Sequence, residues 1–227
     1  MRNESHKIYP YLLKGLEINQ PNQVWATDIT YIKTQNGWMY LAAIIDLYSR
    51  YVIAWRISNT LETAFCLDML EHALTFGKPE ILNTDQGSQF TCDAWIKMVE
   101  GNGIKVSMDG KGRWADNVII ERFWRTLKHE HILIHIFDTV TELKSSIDRF
   151  IRQYNGKRLH QNLGYQTPLE IYTGMGHAVS LVLGKKKAIY KKRVPVQDAS
   201  GEGLLSSPFW GGNNRQVQVK SMDILQR

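Results

Sequence analysis

VWATDITYIKTQNGWMYLAAIIDLYSRYVIAWRI, residues 24–57, reads as three consecutive β-strands. VWATDITYIKT (24–34) is rich in β-branched and aromatic residues, which fit a pleated, packed surface. Gln35-Asn36-Gly37 supplies a hairpin turn, because Asn and Gly tolerate positive φ. WMYLAAIID (38–46) and RYVIAWRI (50–57) follow as the second and third strands, joined by a short polar turn. The first strand carries one acid in its middle, Asp28, between Ala26-Thr27 and Ile29-Thr30. A carboxylate buried there without a partner would be costly, so its presence needs a reason.

Working outward, residues 61–76 read as a helix ended by Gly77 and Pro79. EILNTD (80–85) is a short strand, and QGSQF leaves it as a loop. Residues 92–100 form a helix with Thr91 as cap, stopped by Gly101-Asn102-Gly103. IKVSM (104–108) is a strand, DGKGRWADN (109–117) a mobile loop, and VIIERFWRTLKHE (118–130) a helix capped by Asp116 or Asn117. Thr139-x-x-Glu142 has capping-box spacing and starts a helix to about Asn155; Thr167-Pro168-x-Glu170 repeats the device with a proline. After Gly174 no periodicity survives. The expected organisation is a lead-in over 1–22, a core over 23–174, and a basic, poorly ordered tail over 175–227. The order βββαβαβα indicates an α/β sheet flanked by helices.

A chain of 227 residues can bury one main core with a small appendage. Its 43% hydrophobic and 22% charged content is that of an ordinary globular protein. No apolar run approaches the ~18 residues of a membrane span, and the first residues lack the pattern of a signal peptide. Cys66 and Cys92 show no metal or redox spacing and read as reduced thiols of a cytoplasmic protein. The net charge of +6 is localised: residues 1–174 carry 19 basic and 19 acidic residues, so the excess lies in 175–227. Such a tail suits a polyanion by counterion release, or is simply a solvated face.

Two further acids stand apart. Asp85 ends a short strand where a loop begins, and Glu121 lies in the first turns of a helix behind a glycine-containing loop. At 100° per residue, with Glu121 at 0°, Arg125 falls at about 40° and Lys128 at about −20°. Phe123, Leu127 and Trp124 fall at about 200°, 240° and 300°. One face is apolar and aromatic, and the other aligns a carboxylate with two cations. The alternative is a Glu–Arg surface pair of roughly 0.3–0.5 kcal/mol. Three carboxylates suit phosphodiester chemistry, because hard magnesium ions take oxygen ligands and can activate a nucleophile and stabilise a leaving oxygen. Spacing alone does not bring the three together.

Five segments do. WATDITYI, AAIIDLYSRYVIAW, NTDQGSQF, SMDGKGRWADNVIIERFWRTLKHE and YNGKRLHQNLGYQTPLEIY, within Val24–Tyr172, resemble insertion-sequence transposases with a retroviral-integrase-like catalytic core. Thirty-five residues separate Asp85 from Glu121, the spacing typical of that family, and Lys128 holds its usual basic position seven residues on. The resemblance implies a ribonuclease-H-like fold with a five-stranded mixed sheet. It implies that Asp28, Asp85 and Glu121 bind two magnesium ions, for which manganese can substitute. It implies DNA contacts from Lys128 and Arg125, with Gln86, Gly87 and Gln89 beside the second aspartate as further candidates. The partners implied are DNA (element ends and target) and further copies of the chain. An upstream helix-turn-helix protein is also expected, since nothing before Val24 is long enough to supply that unit. The alternatives are a nuclease on the same fold and a silent DNA-binding remnant.

Other residues admit simpler readings. Asp46 suits a turn or a salt bridge with Arg50 better than a metal. His129, His131 and His135 are too few and unassured for zinc. Trp114 stacks on a base or anchors its loop. Tyr154, Arg158 and His160 serve either DNA contact or packing.

Overall fold

The computed structural model describes residues 7–35, 37–109 and 118–175. Strands β1 (Val24–Thr34), β2 (Gly37–Asp46) and β3 (Val52–Ser58) form an antiparallel meander. Helix α1 (Thr63–Leu74) crosses to β4 (Ile81–Thr84), which pairs parallel to β1. A single helical turn, α2 (Ser88–Thr91), and helix α3 (Asp93–Gly101) lead to β5 (Lys105–Met108), parallel to β4. Helices α4 (Val118–Glu130), α5 (Val140–Gly156) and α6 (Pro168–Tyr172) complete the described chain. The five-stranded mixed sheet has the order β3-β2-β1-β4-β5.

The strands are buried on both faces, and alternation assigns each residue to one of them. Val24, Ala26 and Ile32 of β1 join Ile120, Phe123 and Leu127 of α4 and Leu143, Ile147 and Ile151 of α5. Trp25 of β1 joins Met69 and Leu70 of α1 and Trp95 and Val99 of α3. Truncating a large core side chain such as Phe123 would cost roughly 3–5 kcal/mol. No helix among the described residues is long and apolar enough to cross a membrane.

Both capping boxes form: Thr139 and Thr167 accept from the N–H of Glu142 and Glu170, whose carboxylates return to the cap backbone. Two expectations fail locally. QGSQF does not stay a loop, because the N–H groups of Phe90 and Thr91 both donate to the Gly87 carbonyl and coil the chain. Thr91 does not cap α3: its hydroxyl donates to the same Gly87 carbonyl, and Cys92, the residue before the helix, gives no side-chain bond to the helix N-terminus. The loop 110–117, the candidate caps Asp116 and Asn117, Trp114, Asn36 of the hairpin turn and the tail from 176 lie outside the described residues.

The lead-in is tied to the sheet. The Leu12 N–H donates to Ser107 Oγ on β5 at 3.0 Å, and Leu13 is buried. Asp46 is fully buried at the end of β2. Its Oδ2 accepts from the Asn22 N–H, and its Oδ1 from the Ser49 N–H and hydroxyl. It therefore has the expected turn role but makes no ion pair with Arg50; the Arg50 guanidinium donates to the Leu47 carbonyl instead. At the other side of that turn, Asn155 of α5 clasps strand β3. Its Oδ1 accepts from the Val52 N–H and its Nδ2 donates to the Val52 carbonyl, both at 2.9 Å. Asn155→Ala would leave both backbone groups buried without partners, at about 2–3 kcal/mol. A lower urea midpoint at unchanged slope is the expected result; an unchanged midpoint would refute the clasp's role.

Candidate active site

Strand register brings the first two acids together. Strands β1 and β4 pair through Val24↔Ile81, Trp25↔Leu82 and Ala26↔Asn83, and the pairing stops there. Two residues beyond the last pair lie Asp28 and Asp85. Asp28 has the parity of Ala26, so it turns to the sheet face that α4 covers, and Asp85 follows directly on the last residue of β4.

Asp28 is held from two directions. The Trp124 indole N–H donates to its Oδ2 at 2.9 Å, and the backbone N–H of Ile29 also bonds the carboxylate. Burial nevertheless raises its pKa from the ordinary 3.8 to about 6, and the anions Asp85 and Glu121 push in the same direction. The field of both anions therefore reaches Asp28. Among the described residues, no three His, Cys, Asp or Glu side chains stand close enough to hold a metal ion as placed. Asp85 and Glu121 are both exposed.

Asp85 sits on a braced loop. Its Oδ1 accepts from the Gly87 N–H at 2.9 Å. A Cβ at Gly87 would meet that same oxygen at 2.9 Å, so a side chain there would displace the carboxylate. Gln86 Nε2 donates to the Asp109 carbonyl and Asn83 Nδ2 to Asp109 Oδ1, each at 2.9 Å. Ser107 Oγ donates to Asn83 Oδ1 at 2.8 Å, which extends the network to Leu12. Gln89 is buried and donates to the Leu61 carbonyl, so it braces α2 rather than facing the crevice.

Helix α4 has the faces expected of it. Ile120, Phe123, Trp124 and Leu127 are buried, while Glu121 and Arg125 are exposed and Lys128 is half-buried. The surface-pair alternative is not realised: the ion pairs among the described residues are Arg56–Asp68, Arg152–Asp148 and Arg158–Glu130. Arg125 and Lys128 thus stand beside Glu121 with their charges uncommitted within the described fold. Trp124 is buried as helical periodicity expects, and at about 300° it is the buried α4 residue nearest Glu121; periodicity gave no sign that its indole N–H would find Asp28.

The remaining candidates find structural uses. His131 pairs with Ser146 Oγ, and His135 Nδ1 with the His131 carbonyl. Cys66 and Cys92 are free thiols, and burial pushes Cys66 up to about 12, far from a reactive thiolate. Tyr154, Arg158 and His160 line a cavity on another flank of α4.

Two family models, each described as Integrase core domain, match residues 18–113 and 102–168. The chain is 38% identical over 152 residues to the transposase for insertion sequence element IS904 of Lactococcus lactis subsp. lactis (strain IL1403), covering 65% of this chain and 60% of that one. It is 36% identical over 152 residues to transposase InsF for insertion sequence IS3A of Escherichia coli (strain K12), covering 65% and 53%. The match thus spans somewhat over half the length of these relatives. Among solved structures, the HTLV-2 integrase catalytic core domain in complex with magnesium (dimeric form) is similar with a TM-score of 0.56 at 20% identity, covering 67% of this chain and 97% of that one. The catalytic core domain of BIV integrase matches with a TM-score of 0.56 at 19% identity, covering 69% and 97%. The fold is therefore ribonuclease-H-like, and the chain belongs to the integrase core family, in the form carried by insertion-sequence transposases.

Proposed function

We propose that this chain is the catalytic core of a DNA transposase that cuts element ends and joins them to target DNA. The observation that supports the reading is the field of both Asp85 and Glu121 at Asp28, on a strand whose pairing with β4 ends two residues before these aspartates, with two cations on the Glu121 face of α4 that form no ion pair among the described residues. The donor set fits magnesium or manganese: all three groups are hard carboxylates. Two such ions, when bound, activate the attacking oxygen and stabilise the leaving one.

The chain's own residues supply position and charge. Asp28 is fixed by Trp124 and Ile29, and a carboxylate so held keeps lone pairs for a ligand. Asp85 is aimed by the Gly87 N–H, and Glu121 is carried on a helix anchored in the core. Lys128 and Arg125 bind phosphates flanking the scissile one, and Gln86 supports the DNA from the second loop. Water first attacks a phosphodiester and frees a 3′-hydroxyl. That hydroxyl then attacks a second phosphodiester, one P–O bond forming as another breaks, without a covalent protein intermediate. Partners in this reading are paired DNA ends, target DNA, further copies of the chain and an upstream helix-turn-helix protein, in a bacterial cytoplasm.

Divalent-metal cleavage and joining of a duplex should fall at least about a hundredfold in Asp28→Asn, Asp85→Asn and Glu121→Gln, an effect of the size seen when one group that stabilises a transition state is removed. Activity retained in all three would sink the assignment. Trp124→Phe keeps the ring and removes one hydrogen bond, so the loss should be roughly ten- to a hundredfold at nearly unchanged melting temperature. Asp28→Asn should also stabilise the fold. The raised pKa means that the carboxyl favours folding only while protonated, below about pH 4, and that this is lost as pH rises through about 6. At pH 7.5 without metal the neutral amide should gain about 2–3 kcal/mol, and almost nothing at pH 4. A variant that melts lower than the parent at pH 7.5 would contradict this.

A further inference from the structure

A second basic site lies on the flank of α4 turned away from Glu121. Arg50, Arg122, Tyr154, Arg158 and His160 converge on a cavity of about 260 Å3 formed by the β2–β3 turn, α4, the end of α5 and the segment after it. Its charge is not balanced locally. Arg158 is neutralised by Glu130, whose two oxygens take both of its terminal nitrogens. Arg122 has no carboxylate partner among the described residues and is near enough to Arg50 to repel it. Arg50 feels the field of Asp46, but the Asp46 oxygens are occupied by Ser49 and Asn22. Two guanidinium groups therefore share one opening without a carboxylate between them.

Neutral donors point the same way. His160 Nε2 is buried and has no hydrogen-bond partner. Tyr154 is buried, and its hydroxyl, pushed up to about 12 chiefly by burial, stays a protonated donor. Both facts favour an acceptor in the cavity.

Arg50 adopts φ +65°, a left-handed conformation that glycine or asparagine occupies more readily. The turn needs this conformation, since the Arg50 N–H closes it on the Asp46 carbonyl, and one guanidinium nitrogen also donates to the Leu47 carbonyl.

We propose that this cavity binds a phosphate group, supplied by the DNA backbone some way from the scissile bond. Planar guanidinium groups match phosphate oxygens in geometry and charge. Arg122 follows Glu121 directly on α4, about 100° around the helix, so a strand lying over the carboxylates continues across Arg122 toward the cavity. The DNA source rests on the proposed function; the phosphate site itself does not.

The test uses the full chain and the double variant Arg50→Gly, Arg122→Gln. Glycine relieves the left-handed backbone, so loss of binding cannot be put down to a strained turn. In the first arm, binding to a DNA duplex is followed against salt concentration. The slope of log affinity against log salt should fall by about one in the double variant, for the one phosphate that is no longer neutralised. In the second arm, inorganic phosphate is titrated at constant ionic strength while melting temperature is followed. The parent should show a saturable rise that the variant lacks. A lost phosphate response with an unchanged DNA slope would keep the site and assign it to free phosphate. A parent that bound no DNA yet kept its phosphate response would remove the transposase reading and leave the site standing. A variant matching the parent in both arms would overturn the proposal.

Discussion

A carboxylate on the central strand of a five-stranded sheet loses much of its hydration, and the surroundings of Asp28 are arranged around that loss. Strand β1 pairs with β2 along its whole length but with β4 only as far as Ala26. Trp124 reaches the Asp28 carboxylate from the helix above, and the Ile29 backbone also favours its charged form. These donors offset part of the desolvation but not all of it, since the group still titrates near pH 6. The residual penalty is what a cationic ligand would relieve. Under the proposed function, stability and function thus pull in opposite directions at one residue, as is common where a site is held ready for a charge it does not itself contain.

Much of this was readable in the residues. The meander over 24–57, the crossings to β4 and β5 and both capping boxes followed from local signals: β-branched runs, glycine stops, and Thr-x-x-Glu spacing. Helical periodicity correctly separated the buried face of α4 from the face bearing Glu121, Arg125 and Lys128. Local rules suffice when a residue's environment is set by its own element.

They fail where the partner lies far along the chain. That the segments bearing Asp28 and Asp85 run side by side depends on the β1–β4 register, which nothing in either segment encodes alone. Trp124 looked like core because it is core; that its N–H finds Asp28 is a consequence of how α4 crosses the sheet. Asn155 gave no sign that it would clasp Val52. Thr91 had the right chemistry for a cap, but a competing acceptor, the Gly87 carbonyl, lay one turn away. The family resemblance supplied the long-range information for the acids, because it carries the geometry of a whole fold. It said nothing about the asparagine or the indole.

The parallel pairing of β1 with β4 has a consequence for the order in which the molecule is made. The antiparallel meander closes through short turns and can form from its own residues. Joining β4 to β1 requires closing a much longer loop, and the third carboxylate arrives only with α4. A chain still being synthesised therefore owns a sheet well before it owns three acids. Under the proposed function, it has nothing during that interval with which to nick the DNA that encodes it, a safeguard that arises from topology alone.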